Sequence, residues 1–162
     1  MDVVTIDMSD QPYNVDDDGE RIVHSVRFRV PAEGPWEPAP QGSKTSLGKG
    51  RMKESSKYLK PWRQKVIDAS ARVLKEHCDG VPFTGPLHVD LTFRMHRGKT
   101  VKRTYHTTTP DKNKLKRNVM DGLTQGGLIA DDSLMVSWTG EKLYATPVSG
   151  QGVTITITRV VS

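Results

Sequence analysis

The sequence predicts an α+β domain in which a mixed β-sheet carries two main helices packed on one face. Several segments alternate apolar and polar residues, which is typical of strands with one buried face. Two other segments repeat apolar residues every three or four positions, which is typical of amphipathic helices. The 162 residues suffice for one hydrophobic core. We therefore predict four to six strands in a domain covering residues 21–162, preceded by an acidic leader at residues 1–20.

The leader and the rest of the chain differ strongly in charge. Residues 1–20 contain seven acidic residues and no lysine or arginine, which predicts a disordered segment. A tail that competes with DNA for a basic surface is the alternative. Residues 21–162 hold all 24 basic side chains and the remaining 12 of the 19 acidic ones, a net charge of +12. This charge favours nucleic acid as the partner, because lysine and arginine contacts to phosphates release counterions; solubility alone is the other explanation.

Alternating patterns place strands at residues 22–30, 86–94, 134–139 and 152–161. The second and fourth are the clearest, because every second residue is apolar. The expected buried faces consist of Ile22, His24, Val26, Phe28 and Val30 in the first, Leu87, Val89, Leu91 and Phe93 in the second, Leu134, Val136 and Trp138 in the third, and Val153, Ile155 and Ile157 in the fourth.

Helical spacing predicts a first helix that begins near Pro61, since proline suits the first helical position, and stops near Gly80. Its apolar residues are Trp62, Val66, Ala69, Val73 and Leu74, and we assign Trp62 to the core. A second helix is predicted over residues 111–124, with an apolar stripe formed by Leu115, Val119, Met120 and Leu123. Asn113 and Arg117 lie one turn apart on another face of that helix.

The connecting segments are predicted to be irregular, and two of them are basic. Residues 31–40 are proline-rich and cannot form regular structure, and a hairpin-like basic turn is expected around Gly98. Residues 41–60 mix cations with glycine and serine, which predicts a phosphate-contacting loop; a flexible surface loop is the alternative, and no Walker A spacing is present. The candidate DNA-binding residues are Lys44, Lys49, Arg51, Lys53, Lys57, Arg94, Arg97, Lys102, Arg103 and Lys114.

Several classes of protein are excluded or disfavoured. There is no run of 18 apolar residues and no signal-peptide pattern, so we expect a cytoplasmic protein with no membrane contact. The single cysteine, Cys78, excludes an internal disulfide and a cysteine-based zinc site. His96 and His106 are expected to be solvated or hydrogen-bonded side chains rather than metal ligands.

Acidic residues flank the second predicted helix, with Asp111 at its start and Asp131 and Asp132 after it. An N-cap role explains Asp111, and a turn before a strand explains the pair. A helix of 14 residues is about 21 Å long, and residues 125–132 can span roughly 26 Å. The carboxylates can therefore share a divalent cation beside a phosphate if this segment runs back along the helix, and oxygen ligands suit Mg²⁺.

The residues here resemble a known family. The motifs P-D-x-N-K-L-x-R, D-G-L-T and G-G-L-I-A-D-D-S are similar to those of the RusA family of Holliday junction resolvases, including phage-borne members. The proline-rich turn and the segments QGSK, GRMKESSK and KPWR also fit, and the resemblance covers roughly residues 26–160. It implies a Mg²⁺-dependent endonuclease, with Mn²⁺ as a substitute. Such an enzyme acts as a homodimer and makes paired symmetric nicks in four-way DNA junctions in the host cytoplasm.

Carried over by position, the resemblance makes Asp111 and Asp132 essential metal-binding carboxylates, with Asp131 beside them. Arg117 takes the position of a catalytic lysine, where a cation stabilises charge that develops on the phosphate. The family's second aspartate is Asn113 here, which can offer a carbonyl oxygen to a metal but carries no charge. A non-cleaving protein that binds branched DNA, or a variant inactivated at Asn113, is therefore the alternative. A sugar hydrolase is poorly supported, because the basic loops do not suit a neutral substrate.

Overall fold

The computed structural model of the chain describes residues 4–5, 13–15, 21–41, 44–48, 51–54 and 57–160. Within these residues the strands are β1 (Val4–Thr5), β2 (Tyr13–Val15), β3 (Arg21–Val23), β4 (Ser25–Pro31), β5 (Lys44–Gly48), β6 (Arg51–Glu54), β7 (Leu87–Met95), β8 (Met135–Tyr144) and β9 (Gly152–Arg159). The helices are α1 (Leu59–His77) and α2 (Lys112–Gln125), and a short 3₁₀ helix spans Asp132–Leu134.

The main sheet has the strand order β1-β4-β9-β7-β8. Strand β9 pairs antiparallel with both β4 and β7, whereas β8 pairs parallel with β7, so the sheet is mixed. The predicted α+β class with a mixed sheet and two main helices is therefore confirmed. The parallel pairing needs a long crossover, and this crossover contains α2 and the candidate site.

One face of the sheet is buried beneath both helices. Every second residue of β7, from Leu87 to Met95, is buried, and the residues between them are partly exposed. The fully buried side chains of α1 and α2, such as Trp62 and Leu115, belong to the same core cluster as those strand residues. The alternating pattern thus gave the correct buried face for β7 and β9, and the core assignment of Trp62 is confirmed.

The two helices approach closely because glycine replaces a side chain at their contact. A Cβ atom added at Gly122 would lie 2.6 Å from Cγ1 of Val66, and one added at Gly126 would lie 2.6 Å from Cβ of Ser70. Such distances leave no space for a methyl group. The glycine in the D-G-L-T motif therefore sets the distance between α1 and α2, and with it the position of the residues that α2 presents.

Three expectations about strands are corrected by the structure. The predicted strand 22–30 is broken at His24 into β3 and β4, and Val23 is buried although it is not a residue of the predicted buried face. A turn does form at Gly98, where the Val101 N–H donates to the Gly98 carbonyl oxygen at 3.1 Å, but no strand follows it, because both edges of β7 are already paired with β8 and β9. Val136 is 63% exposed, since β8 is the edge strand of the sheet.

The basic segment 41–60 also differs from the predicted loop. Its strands β5 and β6 pair antiparallel with an irregularity in register, so part of the segment is a hairpin. Residues 49 and 50, between the two strands, lie outside the described residues. In the leader, β1 pairs with β4 and β2 pairs with β3, while the other positions of residues 1–20 lie outside the described residues.

The proline-rich segment has no helix or strand beyond Pro31, as predicted, but it is firmly held. Lys65 Nζ contacts a carboxylate oxygen of the buried Glu37 at 2.5 Å, and Gln151 Nε2 donates to the Glu37 carbonyl oxygen at 2.8 Å. We call residues 32–41 the proline loop. Among the described residues, no helix is long and apolar enough to cross a membrane.

Candidate active site

The N-terminus of α2 is capped by Asp111. This residue has an extended backbone, and its carboxylate accepts a hydrogen bond from the backbone N–H of Lys114 at 2.9 Å. The bond satisfies one of the amides that a helix leaves unpaired in its first turn, where the helix dipole also favours negative charge. The N-cap role expected for Asp111 is confirmed, and the residue remains exposed to solvent.

Lys142 on β8 holds the chain that leads into Asp111. Its Nζ donates to the carbonyl oxygens of Thr108 at 2.7 Å and Pro110 at 2.8 Å. Burial lowers the pKa of Lys142, while the charge of Asp111 acts in the opposite direction and raises it. A cation fixed by two carbonyl groups therefore lies near the Asp111 carboxylate and helps to set its position.

A cavity of about 500 Å³ opens beside Asp111. We call it the aromatic cavity, because Trp36 and Tyr58 line it together with several prolines. The two rings stack, with centroids 5.5 Å apart and an interplanar angle of 12°. Its polar lining groups are His96, His106, Thr109, Asp111 and Lys114.

Two arginines converge on Tyr144 near the aromatic cavity. The guanidinium carbon of Arg97 lies 5.0 Å from the Tyr144 ring centroid, and Arg103 Nε donates to the Tyr144 hydroxyl at 2.7 Å. The His106 ring is tilted against the same tyrosine at 5.0 Å. Burial, and then the charge of Lys142, lower the pKa of His106. This arrangement presents two cations at the end of β8 on a rigid aromatic support.

A second cavity, of about 320 Å³, lies against the middle of α2. We call it the polar cavity, because it is lined by Gln41, Lys116, Arg117, Asp121 and Asp132 as well as two methionines. Lys116 Nζ lies 4.5 Å from the Trp138 ring centroid, so the cation is held over an aromatic face. Arg117 is exposed at this cavity.

A network of buried hydrogen bonds lies beside the polar cavity and contacts residues that line it. Asn118, which is fully buried, donates from Nδ2 to the carbonyl oxygens of Ala39 and Leu59 and accepts from Arg63 Nε at 2.8 Å. Arg63 also binds Gln41 Oε1 at 2.5 Å and Asp121 at 3.4 Å. The network therefore fixes the end of the proline loop, α1 and α2 relative to one another.

Asp131 and Asp132 precede β8 and begin the 3₁₀ helix. Asp131 accepts a hydrogen bond from the backbone N–H of Ser133 at 2.8 Å. Hydrogen bonds from the side chain and then the backbone of Ser133 lower the pKa of Asp131 below its ordinary value. Both carboxylates are exposed, and Asp132 faces the polar cavity.

Two of the carboxylates that were expected to share one ion, Asp111 and Asp132, line different cavities. The segment after α2 does run back beside the helix, but Phe83 holds it through backbone hydrogen bonds with Leu128 and Ala130. It therefore brings Asp132 to Arg117, roughly 9 Å along the helix from Asp111. No group of three or more His, Cys, Asp or Glu residues that could hold a metal occurs among the residues that the structure describes. The four predicted metal ligands are divided between the start of α2, with Asp111 and Asn113, and its middle, with Asp131 and Asp132.

A scan against protein-family models matches residues 35–158 to the family described as endodeoxyribonuclease RusA. The chain belongs to the RusA family. The match covers most of the chain and includes both helices and both cavities, which agrees with the resemblance seen in the motifs around α2. No curated protein matches the chain.

The cations predicted to bind DNA lie in several separate regions of this RusA-family chain. Arg94 lies on the polar face of β7 and donates to Thr154 Oγ1 at 3.2 Å. Arg97, Lys102 and Arg103 belong to the segment after β7, and Lys114 lines the aromatic cavity. Lys57 Nζ lies 5.4 Å from the Tyr58 ring centroid. Lys44, Arg51 and Lys53 are positions of β5 and β6, and Lys49 lies outside the described residues.

Several residues of the two cavities were missed by sequence reasoning. Trp36 and Tyr58 lie in segments without periodicity, and Lys142 is one of many lysines in the sequence, so none carried a signal. Asp121 and Asn118 were different, because Asp121 belongs to the quoted D-G-L-T motif, and Asn118 interrupts the apolar stripe of α2. A polar residue in the buried stripe of a helix requires hydrogen-bond partners, and that requirement could have identified the network.

Proposed function

We propose that this RusA-family protein is a structure-selective endonuclease that resolves four-way DNA junctions by paired symmetric nicks. The observation that carries the proposal is the family match over residues 35–158, which contains α2 and both cavities beside it. The net charge of +12 outside the leader supports a DNA substrate, because sequence-independent affinity for DNA comes from phosphate contacts.

The proposed reaction is hydrolysis of one phosphodiester bond in each of two opposed strands. Water adds to phosphorus, the bond to the 3′ oxygen breaks, and the leaving oxygen takes a proton, giving a 5′-phosphate and a 3′-hydroxyl. Arg117 is exposed at the polar cavity and has the rigid fork of donors that suits phosphate oxygens. We assign it the stabilisation of charge developing on the phosphate, next to Asp132.

Mg²⁺, with Mn²⁺ as a substitute, is the proposed cofactor. Mg²⁺ usually keeps several waters and is held by one or two carboxylates together with substrate phosphates. The exposed carboxylates Asp111, Asp131 and Asp132 fit that mode, in which the ion enters with DNA, better than a preformed protein cage. Bound there, the ion would supply neutralisation of phosphate charge.

The homodimer is part of the same proposal. A four-way junction has two-fold symmetry, and two equivalent nicks require two equivalent sites, which two copies of the chain supply. We propose that the dimer acts in the cytoplasm, where its DNA substrate is found.

Asn113 sustains the second candidate function, a protein that binds branched DNA without cutting it. This residue is exposed on the first turn of α2, close in sequence to Asp111, and it offers a neutral oxygen where the family pattern has a carboxylate. The lost negative charge weakens the attraction for Mg²⁺ at this end of the site.

Purified protein and its Asn113→Asp variant, each with a four-way junction, a linear duplex and Mg²⁺ or Mn²⁺, test both candidates. A resolvase produces paired nicks at symmetric positions in the junction and leaves the duplex intact, and Asn113→Asp raises the rate. An Asp111→Asn and Asp132→Asn double variant serves as the inactive control. Tight, salt-sensitive junction binding with no nicks from either active form would establish the non-cleaving protein instead.

A further inference from the structure

The aromatic cavity has features that neither the hydrolysis nor the basic patches use. Its volume of about 500 Å³ lies within the range of sites for small organic groups. Trp36 stacks on Tyr58 and still exposes 60% of its surface, so the indole has area left for another planar group. Core packing does not account for the position of this tryptophan beside a ligand-sized cavity, because most of its surface is exposed.

We propose that the aromatic cavity, beside the N-terminus of α2, holds one unpaired nucleobase of the DNA. The proposal rests on the proposed function, because it names how that function's substrate is held. Aromatic platforms bind bases of single-stranded or branched DNA, since every base has a π-face. At a branch point, unstacking a base costs less than in an intact duplex.

The polar groups of the cavity are suited to the edge of a base. His96, His106, Thr109 and Lys114 line it and can donate or accept hydrogen bonds.

The charge around the cavity favours a base that belongs to DNA over an uncharged aromatic molecule. Lys114 lines the cavity, and Lys57 lies over the Tyr58 ring at 5.4 Å, so cations flank the aromatic platform. A nucleotide satisfies both features at once, with its base against the rings and its phosphate against the cations. Asp111 shares the wall of the cavity, which places the base next to one of the proposed catalytic carboxylates.

The platform is rigid before DNA arrives. Trp36 directly precedes Glu37, whose carboxylate is bound by Lys65 at 2.5 Å. The carbonyl oxygen of Ala39 accepts from Asn118 at 3.1 Å, and Gln41 N–H donates to the Lys114 carbonyl oxygen at 3.0 Å. The proline loop is therefore attached to α1 and α2, so little conformational entropy is lost when a base stacks on Trp36.

Binding of four-way junctions in which single bases near the branch point are removed one at a time, measured without divalent metal to prevent cleavage, tests the proposal. One abasic position is expected to weaken binding by wild-type protein, and Trp36→Ala is expected to weaken binding to the intact junction by a similar factor, about 5- to 150-fold. On that abasic junction Trp36→Ala causes no further loss, because the two changes remove the same contact. Trp36→Phe restores most of the affinity.

Tyr105→Ala is the matched control, because Tyr105 is 70% exposed and is not among the residues that line the cavity. It should lose affinity equally on intact and abasic junctions. If the loss of affinity caused by Trp36→Ala adds to the loss caused by every abasic position, Trp36 does not contact any of the removed bases, and the proposed base site is wrong. The proposal would also be wrong if Trp36→Ala changed the oligomeric state, because Trp36 and Tyr58 would then contact a second copy of the chain.

The base site and the resolvase function fail in distinguishable ways. If wild-type protein neither binds nor cuts junctions, the proposed function is wrong, and the base site is then tested with a single-stranded oligonucleotide carrying 2-aminopurine. Fluorescence quenching that disappears in Trp36→Ala but persists in Tyr105→Ala supports the site, and quenching that is equal in all three proteins contradicts it. If the protein cuts junctions but the effect of Trp36→Ala is independent of every abasic position, the base site is wrong and the resolvase function stands.

Discussion

The two cavities beside α2 are made from one helix, yet they differ in what they can bind. The aromatic cavity, at the N-terminus of the helix, is walled by prolines and two stacked rings and has the Asp111 carboxylate at its edge. The polar cavity, against the middle of the helix, presents Arg117, Lys116 and Asp132. We propose a division of function, in which the middle of the helix contacts the phosphate that is cut and its N-terminus recognises a base.

Arg117→Ala should produce the largest effect and would show that the polar cavity carries the chemistry. Removing a group that stabilises transition-state charge typically lowers a rate by about 100- to 1,000-fold. We expect a loss of that size in the single-turnover nicking rate with little change in junction affinity, and partial activity in Arg117→Lys. Gln125→Ala, an exposed change at the end of the same helix, is the control. A rate for Arg117→Ala within twofold of wild type would move the chemistry away from the polar cavity.

Asn118→Ala tests the buried hydrogen-bond network that joins the proline loop, α1 and α2 beside both cavities. The substitution removes the hydrogen bonds that Asn118 makes to the carbonyl oxygens of Ala39 and Leu59 and to Arg63 Nε. Each such loss costs about 1–3 kcal/mol, and we expect a fall of about 3 kcal/mol in the free energy of unfolding, measured by urea denaturation. If stability is unchanged, the network does not hold the proline loop against α2.

Gly122→Ala tests whether the helix contact sets the position of both cavities. Alanine normally favours a helix over glycine by about 1 kcal/mol, but here its methyl group would meet Val66 at 2.6 Å. Overpacking usually costs about 1–3 kcal/mol, so we expect lower stability and a lower thermal midpoint. Gly85→Ala is the matched control, because nothing lies within 4 Å of its added Cβ. Equal midpoints for the two variants would contradict the close contact.

The smallest expected effect is that of pH on the stability of the protein through His106, a residue of the aromatic cavity. Because the pKa of His106 is lowered in the folded protein below its ordinary value of 6.5, the unfolded chain binds more protons just below that pH. The contribution of neutral His106 to the free energy of unfolding is therefore fully present above pH 6.5, and it declines as the pH falls toward the pKa of His106 in the folded protein. The difference in unfolding free energy between wild type and His106→Asn, measured from pH 8 to pH 5, should shift against wild type below pH 6.5. A constant difference would show that burial does not disfavour the charged ring.

The features of α2 that depend on local pattern could be predicted, and those that depend on distant contacts could not. The apolar stripe of Leu115, Val119, Met120 and Leu123, and the cap at Asp111, follow from spacing along one helix. The location of Asp132 does not, because it depends on how Phe83 anchors the returning chain.

The same distinction applies to the aromatic cavity. Its platform joins Trp36 from an irregular loop with Tyr58 from the start of α1, and Lys142 reaches Pro110 from an edge strand. These pairs are distant in sequence and share no periodic signal. Hydrophobic alternation could place β7 and β9 in the core, but it could not place a parallel β8 beside β7, because that pairing is decided by the crossover.

The central claim is that a DNA phosphate lies over α2 between Asp111 and Asp132 and within reach of Arg117. The most direct measurement is a crystal structure of the protein bound to a four-way junction with Mn²⁺, in which anomalous scattering locates the ion. We expect Mn²⁺ coordinated by a phosphate oxygen and by Asp111, Asp131 or Asp132, with Arg117 hydrogen-bonded to the same phosphate. An ion and a DNA backbone bound elsewhere, with α2 uncovered, would contradict the account.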